Sequence, residues 1–143
     1  MSKDSSQVYS CDIQVRWGDS DRLGHVNNAR VVEYMQEARS LFLIEGAASV
    51  GAAPRAVVVR KMDAEFLRPI TDASGPVRVD VSVVRVGTSS FTLRHVVKDV
   101  AGNVCATGDA VMVGFDVRAE SARPLADAER EVLTRYLSAT APA

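Results

Sequence analysis

Four strand-like segments with very short connections constrain this fold more than any other feature of the sequence. Parallel neighbours need a crossover of a dozen or more residues, and no such stretch separates these segments. We therefore predict an antiparallel sheet and an α+β fold. The third predicted strand alternates cleanly, with valines on one face and polar residues on the other. The segments are 56–70, 76–86, 90–100 and 103–117, with a hairpin turn at 101–103. The strand in the first segment is predicted to end at Pro69. In 76–86 the valines on one face are Val77, Val79, Val81 and Val83.

A strand and a helix precede these four segments, and a shorter helix follows them. Residues 8–17 predict the first strand, with Val8, Ile13, Val15 and Trp17 as its apolar candidates. Residues 124–137 predict a short C-terminal helix that carries Val132, Leu133, Tyr136 and Leu137.

The long helix is predicted over residues 28–46 and should be largely buried. Asn27 or Asn28 suits its N-cap and Gly46 its C-cap. Apolar residues recur at spacings of three and four, which is typical of a helix that packs against a core. They are Val31, Tyr34, Met35, Ala38 and Phe42, with Leu41, Leu43 and Ile44 widening the stripe.

A sheet of about five strands can bury this one helix only if the sheet curls around it. A curled sheet leaves an open edge, which is a liability for a monomer, so we expect a homodimer that covers it. The length of 143 residues predicts a single domain over 1–143, with flexible ends at 1–7 and 138–143.

Composition excludes several function classes. Seventeen basic and eighteen acidic residues leave a net charge of −1, which gives no bulk attraction to nucleic acid or membrane. The start lacks a secretory apolar run and no segment is long enough to span a membrane, so we expect a cytoplasmic protein. Cys11 and Cys105 are interpreted as separate free thiols. Two histidines without nearby cysteines predict no metal site.

The segment GDSDRLGHVNN (18–28) carries the candidate chemistry. Asp19 and Asp21 lie in the turn before the helix, and Gly24 permits a bend there. The free N–H groups and the positive dipole end of the helix at Asn28 suit a developing oxyanion. A carboxylate on the other side of the same carbonyl suits attack on an acyl group, as base or as nucleophile. The alternative interpretation makes Asp21 a turn or capping residue.

Residues 16–39, RWGDSDRLGHVNNARVVEYMQEAR, resemble the signature of hotdog-fold acyl-CoA thioesterases of the 4-hydroxybenzoyl-CoA thioesterase type. FLRPI (66–70), the strand region 84–117 and RPL (123–125) are similar to later parts of that family. The resemblance implies a five-stranded antiparallel sheet wrapped around a central helix, in dimers or tetramers with the active site at the dimer interface. It implies a substrate that contains coenzyme A, or an acyl-carrier thioester, with no further cofactor.

The resemblance also implies roles for individual residues. Asp21 matches the catalytic carboxylate and Asn28 supplies the backbone N–H that polarises the carbonyl. His25 and Ser90 match positions that orient the loop or contact substrate, and Asn27 is expected to cap the helix and to contribute a hydrogen bond to substrate binding.

Other carboxylates and histidines are given structural roles. Asp19 is expected to orient the turn, Glu33 and Glu37 to form surface pairs with basic neighbours, and His95 to be a packed histidine. Some hotdog branches carry their catalytic carboxylate on the helix, so Glu33 and Glu37 stay alternatives to Asp21.

The chain departs from the family pattern at two places. Val31 stands where relatives often carry tyrosine, which predicts a roomier acyl pocket. GTSSF (87–91) lacks the basic residues that some members place there for coenzyme A phosphates. Candidates for that contact are Arg60, Lys61, Arg85 and Arg94.

The predicted function is hydrolysis of an acyl-CoA or acyl-carrier thioester. A hotdog dehydratase or hydratase is less consistent with the positions of His25 and His95. A non-hydrolytic acyl-CoA-binding module is the alternative of another class, against which Asp21 argues, since a binder gains nothing from a carboxylate at the thioester.

Overall fold

The computed structural model describes residues 7–138, in which a curled antiparallel sheet packs against one long helix. The strand order is β1–β3–β4–β5–β2, with β6 added beside β5. The predicted α+β hotdog architecture is confirmed, and β6 is an element that the sequence did not predict. The strands are β1 (Tyr9–Ile13), β2 (Val57–Phe66), β3 (Val77–Val86), β4 (Ser90–Lys98), β5 (Val104–Asp116) and β6 (Ser121–Ala122), and the helices are α1 (Asn28–Ser49) and α2 (Asp127–Arg135).

The core lies between α1 and the inner face of the sheet. The five residues of the predicted helical stripe, from Val31 to Phe42, are all buried. The four valines predicted to share one face of β3 are fully buried as well. The two sequence periodicities therefore identified the two surfaces that pack together.

Residues that flank the helical stripe are more exposed than predicted. Leu41 is 36% and Ile44 51% exposed, since no other part of residues 7–138 covers them. On the sheet, Val58 and Val59 of β2 are 41% and 45% exposed. The edge strand β2 and part of α1 thus present apolar side chains to solvent.

The predicted first strand was too long. The chain leaves the sheet after Ile13, because the Asp19 carboxylate accepts the Arg16 backbone N–H at 3.2 Å and fixes a short 3-10 turn over Trp17–Asp19. Trp17 is 86% exposed and Val8 57%, so neither is a core residue.

Gly46 does not end α1, which continues to Ser49. A Cβ atom at Gly46 would lie 2.6 Å from Cγ1 of Val132, so this glycine admits α2 against the helix. The glycine with the left-handed backbone follows later, at Gly51 with φ +71°. Close helix packing, and not a cap, therefore requires glycine at position 46.

Two other elements, β2 and α2, are shorter than predicted. β2 ends at Phe66 and not at Pro69, because the N–H groups of Leu67 and Arg68 both donate to the Cys105 carbonyl and break the ladder. α2 begins at Asp127, where the Glu129 carboxylate accepts the Ala126 N–H at 2.7 Å.

The predicted flexible ends lie almost entirely outside the described residues. Of the two that are described, Gln7 donates its backbone N–H to the Arg135 carbonyl and Ser138 to the Val83 carbonyl. Among residues 7–138, no helix has the length and apolar character needed to cross a membrane.

Candidate functional site

A closed loop joins β1 to α1 and fixes the polar segment. Asp21 donates its N–H to the His25 carbonyl at 2.8 Å, and Gly24 donates to the Asp21 carbonyl at 3.0 Å. Gly24 has φ +79°, a conformation that favours glycine. Val26 is tied to the Ile70 carbonyl at 2.7 Å, so the loop is held against the segment that follows β2.

Asp19 anchors the loop from within. It is buried, and its Oδ2 atom accepts the hydroxyl hydrogen of Tyr34 at 2.6 Å and the Arg16 N–H at 3.2 Å. Burial raises the pKa of Asp19, but these hydrogen bonds and the charges of Arg16 and Arg30 outweigh it and hold the pKa below its ordinary value. Asp19 thus bonds a turn amide, the role predicted for it.

Asp21, in contrast, is exposed. Its Oδ1 atom accepts the Leu23 N–H at 2.9 Å, which is an Asx-turn. Its Oδ2 atom accepts no hydrogen bond from residues 7–138. The turn interpretation therefore accounts for one carboxylate oxygen, and the other oxygen is available to a ligand.

The N-terminus of α1 is capped by one asparagine and begins at the next. Asn27 accepts the Ala29 N–H on its side-chain Oδ1 atom at 2.9 Å. Arg30 and Val31 both donate to the Asn27 carbonyl. Asn28 is the first helical residue, and within the described chain its backbone N–H has no acceptor.

A groove of about 390 Å³ brings these groups together. Its floor is apolar and its polar end is formed by the loop and the start of α1. Cys105 contributes to the floor as a free thiol. The lining residues that matter chemically are Asp21, His25, Asn27 and Asn28, with Val31, Phe66, Ile70 and Ala106 as the apolar part.

Ser90 does not line this groove. It is the first residue of β4 and stands opposite Val113 of β5, and its carbonyl accepts the Gly87 N–H at 2.7 Å. Its role in substrate binding stays a prediction.

The helix carboxylates are also outside the groove. Glu33 pairs with Arg30 at 2.9 Å, which agrees with the predicted surface pairing. Glu37 is exposed and has no ion-pair partner among residues 7–138, so its predicted pairing is not seen within this chain.

Sequence reasoning missed Arg68, which is the arginine that lines the groove. Its side chain is 58% exposed, and its Nε atom lies 4.0 Å from Oδ2 of Asp99. The four basic residues proposed from sequence lie elsewhere. Arg94, for example, is bound at both ends of its guanidinium by Asp109 at 2.9 Å. The available signal was the position of this arginine directly before the proline of FLRPI, which favours an extended backbone there.

His95 is a core histidine, as predicted. It is fully buried, and its Nδ1 atom lies 2.9 Å from the Gly108 carbonyl. A carbonyl only accepts, so Nδ1 carries the hydrogen. Burial lowers the pKa of His95 to about 4, against a weaker opposing effect of the Gly108 bond. His95 is therefore neutral at neutral pH and takes no part in the groove.

Comparisons with known proteins agree with this fold. A predicted thioesterase from Bacillus stearothermophilus has a similar fold, with a TM-score of 0.82 and 22% identity over 96% of this chain and 100% of that one. A thioesterase from Thermus thermophilus, complexed with coenzyme A and Zn, is 34% identical, with a TM-score of 0.71 over 87% of this chain and 90% of that one.

Sequence comparisons identify the family. The uncharacterized protein YsmA of Bacillus subtilis (strain 168) is 28% identical over 121 residues, which are 85% of this chain and 82% of that protein. The family profile described as thioesterase-like superfamily matches residues 15–135. The chain belongs to the thioesterase-like superfamily of hotdog proteins.

Proposed function

We propose that this protein hydrolyses acyl-CoA or acyl-carrier thioesters in the groove between the β1–α1 loop and the end of β2. The observation that carries the proposal is the shared groove of Asp21 and the α1 N-terminus. A carboxylate with one oxygen free and an N–H without an acceptor are the two groups that acyl transfer needs.

The Asn28 N–H would donate to the thioester carbonyl oxygen. Its bond strengthens as negative charge develops on that oxygen, and the positive end of the α1 dipole adds to the effect. The apolar floor would hold the acyl group, and the coenzyme would extend past the rim.

Two routes use Asp21. As a base, it takes a proton from water while the water oxygen bonds to the carbonyl carbon; the C–S bond then breaks and the thiolate gains the proton. As a nucleophile, its oxygen bonds to the carbonyl carbon and expels the thiolate, and water then cleaves the resulting anhydride. Both routes release one acid and one thiol.

Arg68 would contribute to binding of the anionic part of the substrate. Its exposed guanidinium on the groove has a carboxylate neighbour only at 4.0 Å, so it is free to turn towards a phosphate. The four basic residues suggested by sequence do not line this groove within residues 7–138, and their part in binding stays a prediction.

The working form is proposed to be a homodimer or a homotetramer. β2 is an edge strand on which Val58 and Val59 are exposed, and Leu41 and Ile44 of α1 are exposed as well. A second copy would cover this surface. Val59→Asp should then give a smaller species in sedimentation, whereas Val117→Asp, also exposed but outside the strands, should not.

The test compares thiol release from a panel of acyl-CoAs by the native protein and by Asp21→Asn. Asparagine keeps the Oδ1 acceptor for the Leu23 N–H, so the turn should survive while the free carboxylate oxygen is lost. We expect a fall of about 10²-fold or more in kcat. Asp12→Asn, an exposed carboxylate of β1 outside the groove, is the matched control.

Equal rates in both variants would contradict the role of Asp21. Tight binding of acyl-CoA without thiol release by native protein would favour the non-hydrolytic binding module.

A further inference from the structure

Two methionines meet over a glycine directly beyond the apolar end of the groove. A Cβ atom placed on Gly108 would lie 2.7 Å from Sδ of Met35 and 2.9 Å from Cε of Met62. Both distances are shorter than atoms tolerate, so the two thioethers occupy the space that a side chain at position 108 would need. Met35 is fully buried and Met62 partly buried.

These three residues continue the floor of the groove. On α1, Met35 follows Val31 by one turn, and Val31 lines the groove. On β5, Gly108 follows Ala106 on the same buried face. On β2, Ala64 stands opposite Gly108, between Phe66 at the groove and Met62.

The row beyond the groove is otherwise built from very small residues. Ala106, Gly108 and Ala110 face inwards on β5, and Ala64 stands beside them on β2. Such a row leaves a lane between α1 and the sheet, and the two methionine side chains fill it. Methionine has three rotatable bonds and a polarizable thioether, so it adapts to a neighbour more easily than a branched side chain does.

We propose that Met35 and Met62 set the length of acyl chain that this protein accepts. This inference rests on the proposed function, because it assumes that the thioester carbonyl lies between Asp21 and Asn28. Asn28 and Met35 are about 10 Å apart along the helix axis, so the lane before the methionines holds a short or medium acyl group. Longer chains enter only when the thioethers are displaced.

Two substitutions test this proposal: one removes atoms from the lane and the other adds them. Met62→Ala removes three heavy atoms from the lane and should lengthen the accepted chain. Gly108→Ala adds a methyl group where the thioethers lie and should shorten it. Met112→Ala, a buried methionine about 13 Å further along β5, deletes the same atoms outside the lane and is the matched control.

The primary readout is the affinity of S-alkyl-CoA thioethers with 4 to about 14 carbons, measured by calorimetry, because thioethers bind without being cleaved. Affinity should rise by up to about fourfold per buried methylene and then level off where the chain meets the methionines. In Met62→Ala the plateau should move by two or three carbons, which is tenfold or more in affinity for the longer ligands. In Gly108→Ala it should come earlier, and in Met112→Ala it should not move.

An unchanged plateau in both Met62→Ala and Gly108→Ala would overturn the inference. Binding of no thioether would overturn it together with the proposed substrate class. A shifted plateau without thiol release from the matching thioesters would support the lane and contradict hydrolysis, so the two proposals fail separately. Thermal unfolding identifies any variant that does not fold, and if one of the two does not, an unchanged plateau in the other overturns the inference.

Discussion

The Tyr34 hydroxyl donates to Oδ2 of the buried Asp19 carboxylate across 2.6 Å. This bond connects the first turns of α1 to the loop that precedes it. Asp19 and Asp21 are only two residues apart, yet the first is buried with bound donors and the second faces the groove. The hydrogen bond from Tyr34 therefore separates the roles of two otherwise similar carboxylates.

Tyr34→Phe should destabilise the protein by about 1–3 kcal/mol, because a buried carboxylate loses its strongest neutral donor. Turnover should fall too, since Asp19 positions the loop that carries Asp21. Tyr9→Phe is the matched control: the Tyr9 hydroxyl bonds Glu45 at 2.8 Å, but on the surface, where water replaces it. Urea unfolding of both variants measures the difference, and equal losses would contradict a special role for Asp19.

Asn28→Pro should lower kcat by about 10²–10³-fold, because it removes the N–H proposed to polarise the carbonyl. Proline is well tolerated at the first helical position, and Asn27 already has the extended backbone that a following proline requires (φ −63°, ψ 139°). Asn28→Ala keeps the N–H and should retain most of the activity. Steady-state kinetics and circular dichroism of the pair check the prediction. Similar activity in both variants would move the carbonyl contact elsewhere.

His95 should make stability fall between pH 6.5 and 4. Burial holds its pKa near 4 in the folded protein, against 6.5 for an ordinary histidine, so the unfolded state binds more protons in this interval. The unfolding free energy should fall by about 3 kcal/mol as the pH drops from 6.5 to 4. Below this interval, the contribution of His95 should not change further.

His95→Gln should remove that part of the pH dependence, since the glutamine amide still donates to a carbonyl but does not titrate. Chemical unfolding of both proteins at pH 7, 5.5 and 4.5 gives the comparison. The same loss in native protein and variant would show that another group titrates in this interval.

Glu129→Gln should destabilise the protein by about 1.5–3 kcal/mol, because Arg123 loses a charged partner that binds two of its nitrogens at 2.8 and 3.0 Å. Burial raises the pKa of Glu129, but the bonds from Arg123 and the Ala126 amide outweigh it, so the net pKa is lowered. Its contribution is present above the ordinary pKa of 4.5 and is lost at lower pH. Glu131→Gln, which breaks an exposed pair with Arg135, should cost under about 0.5 kcal/mol in thermal unfolding.

The predictable parts of this molecule were those set by periodicity. Alternation in β3 and the spacing of three and four in α1 each identify a buried face, because burial of that face determines both patterns. Gly46 was misread because a glycine near a helix end looks the same whether it caps the helix or admits a neighbour such as Val132. Trp17 was misread because its apolar side chain suits a strand, while the bonds of Asp19 end that strand early.

The part of the candidate site that comes from residues close together in sequence was predictable. Asp21, His25, Asn27 and Asn28 are close in sequence and reach one groove through a single turn and a helix start. Arg68 comes from about 40 residues later, and the pairing of β2 with β5 together with the Val26–Ile70 hydrogen bond brings it there. Contacts between distant segments depend on register, which a single sequence specifies weakly.

The pairing of β2 with β5 also affects how the chain folds during synthesis. Among residues 7–138 its ladder partner is β5, with Phe66 opposite Ala106, an interval of about 40 residues along the chain. At a synthesis rate of about 5–20 residues per second, β2 leaves the ribosome several seconds before β5 is available. During that delay a strand rich in valine has unpaired N–H and C=O groups, and α1 has no finished sheet to pack against. Newly made chains should therefore be most prone to aggregation, and most in need of a chaperone, just before residue 116 emerges.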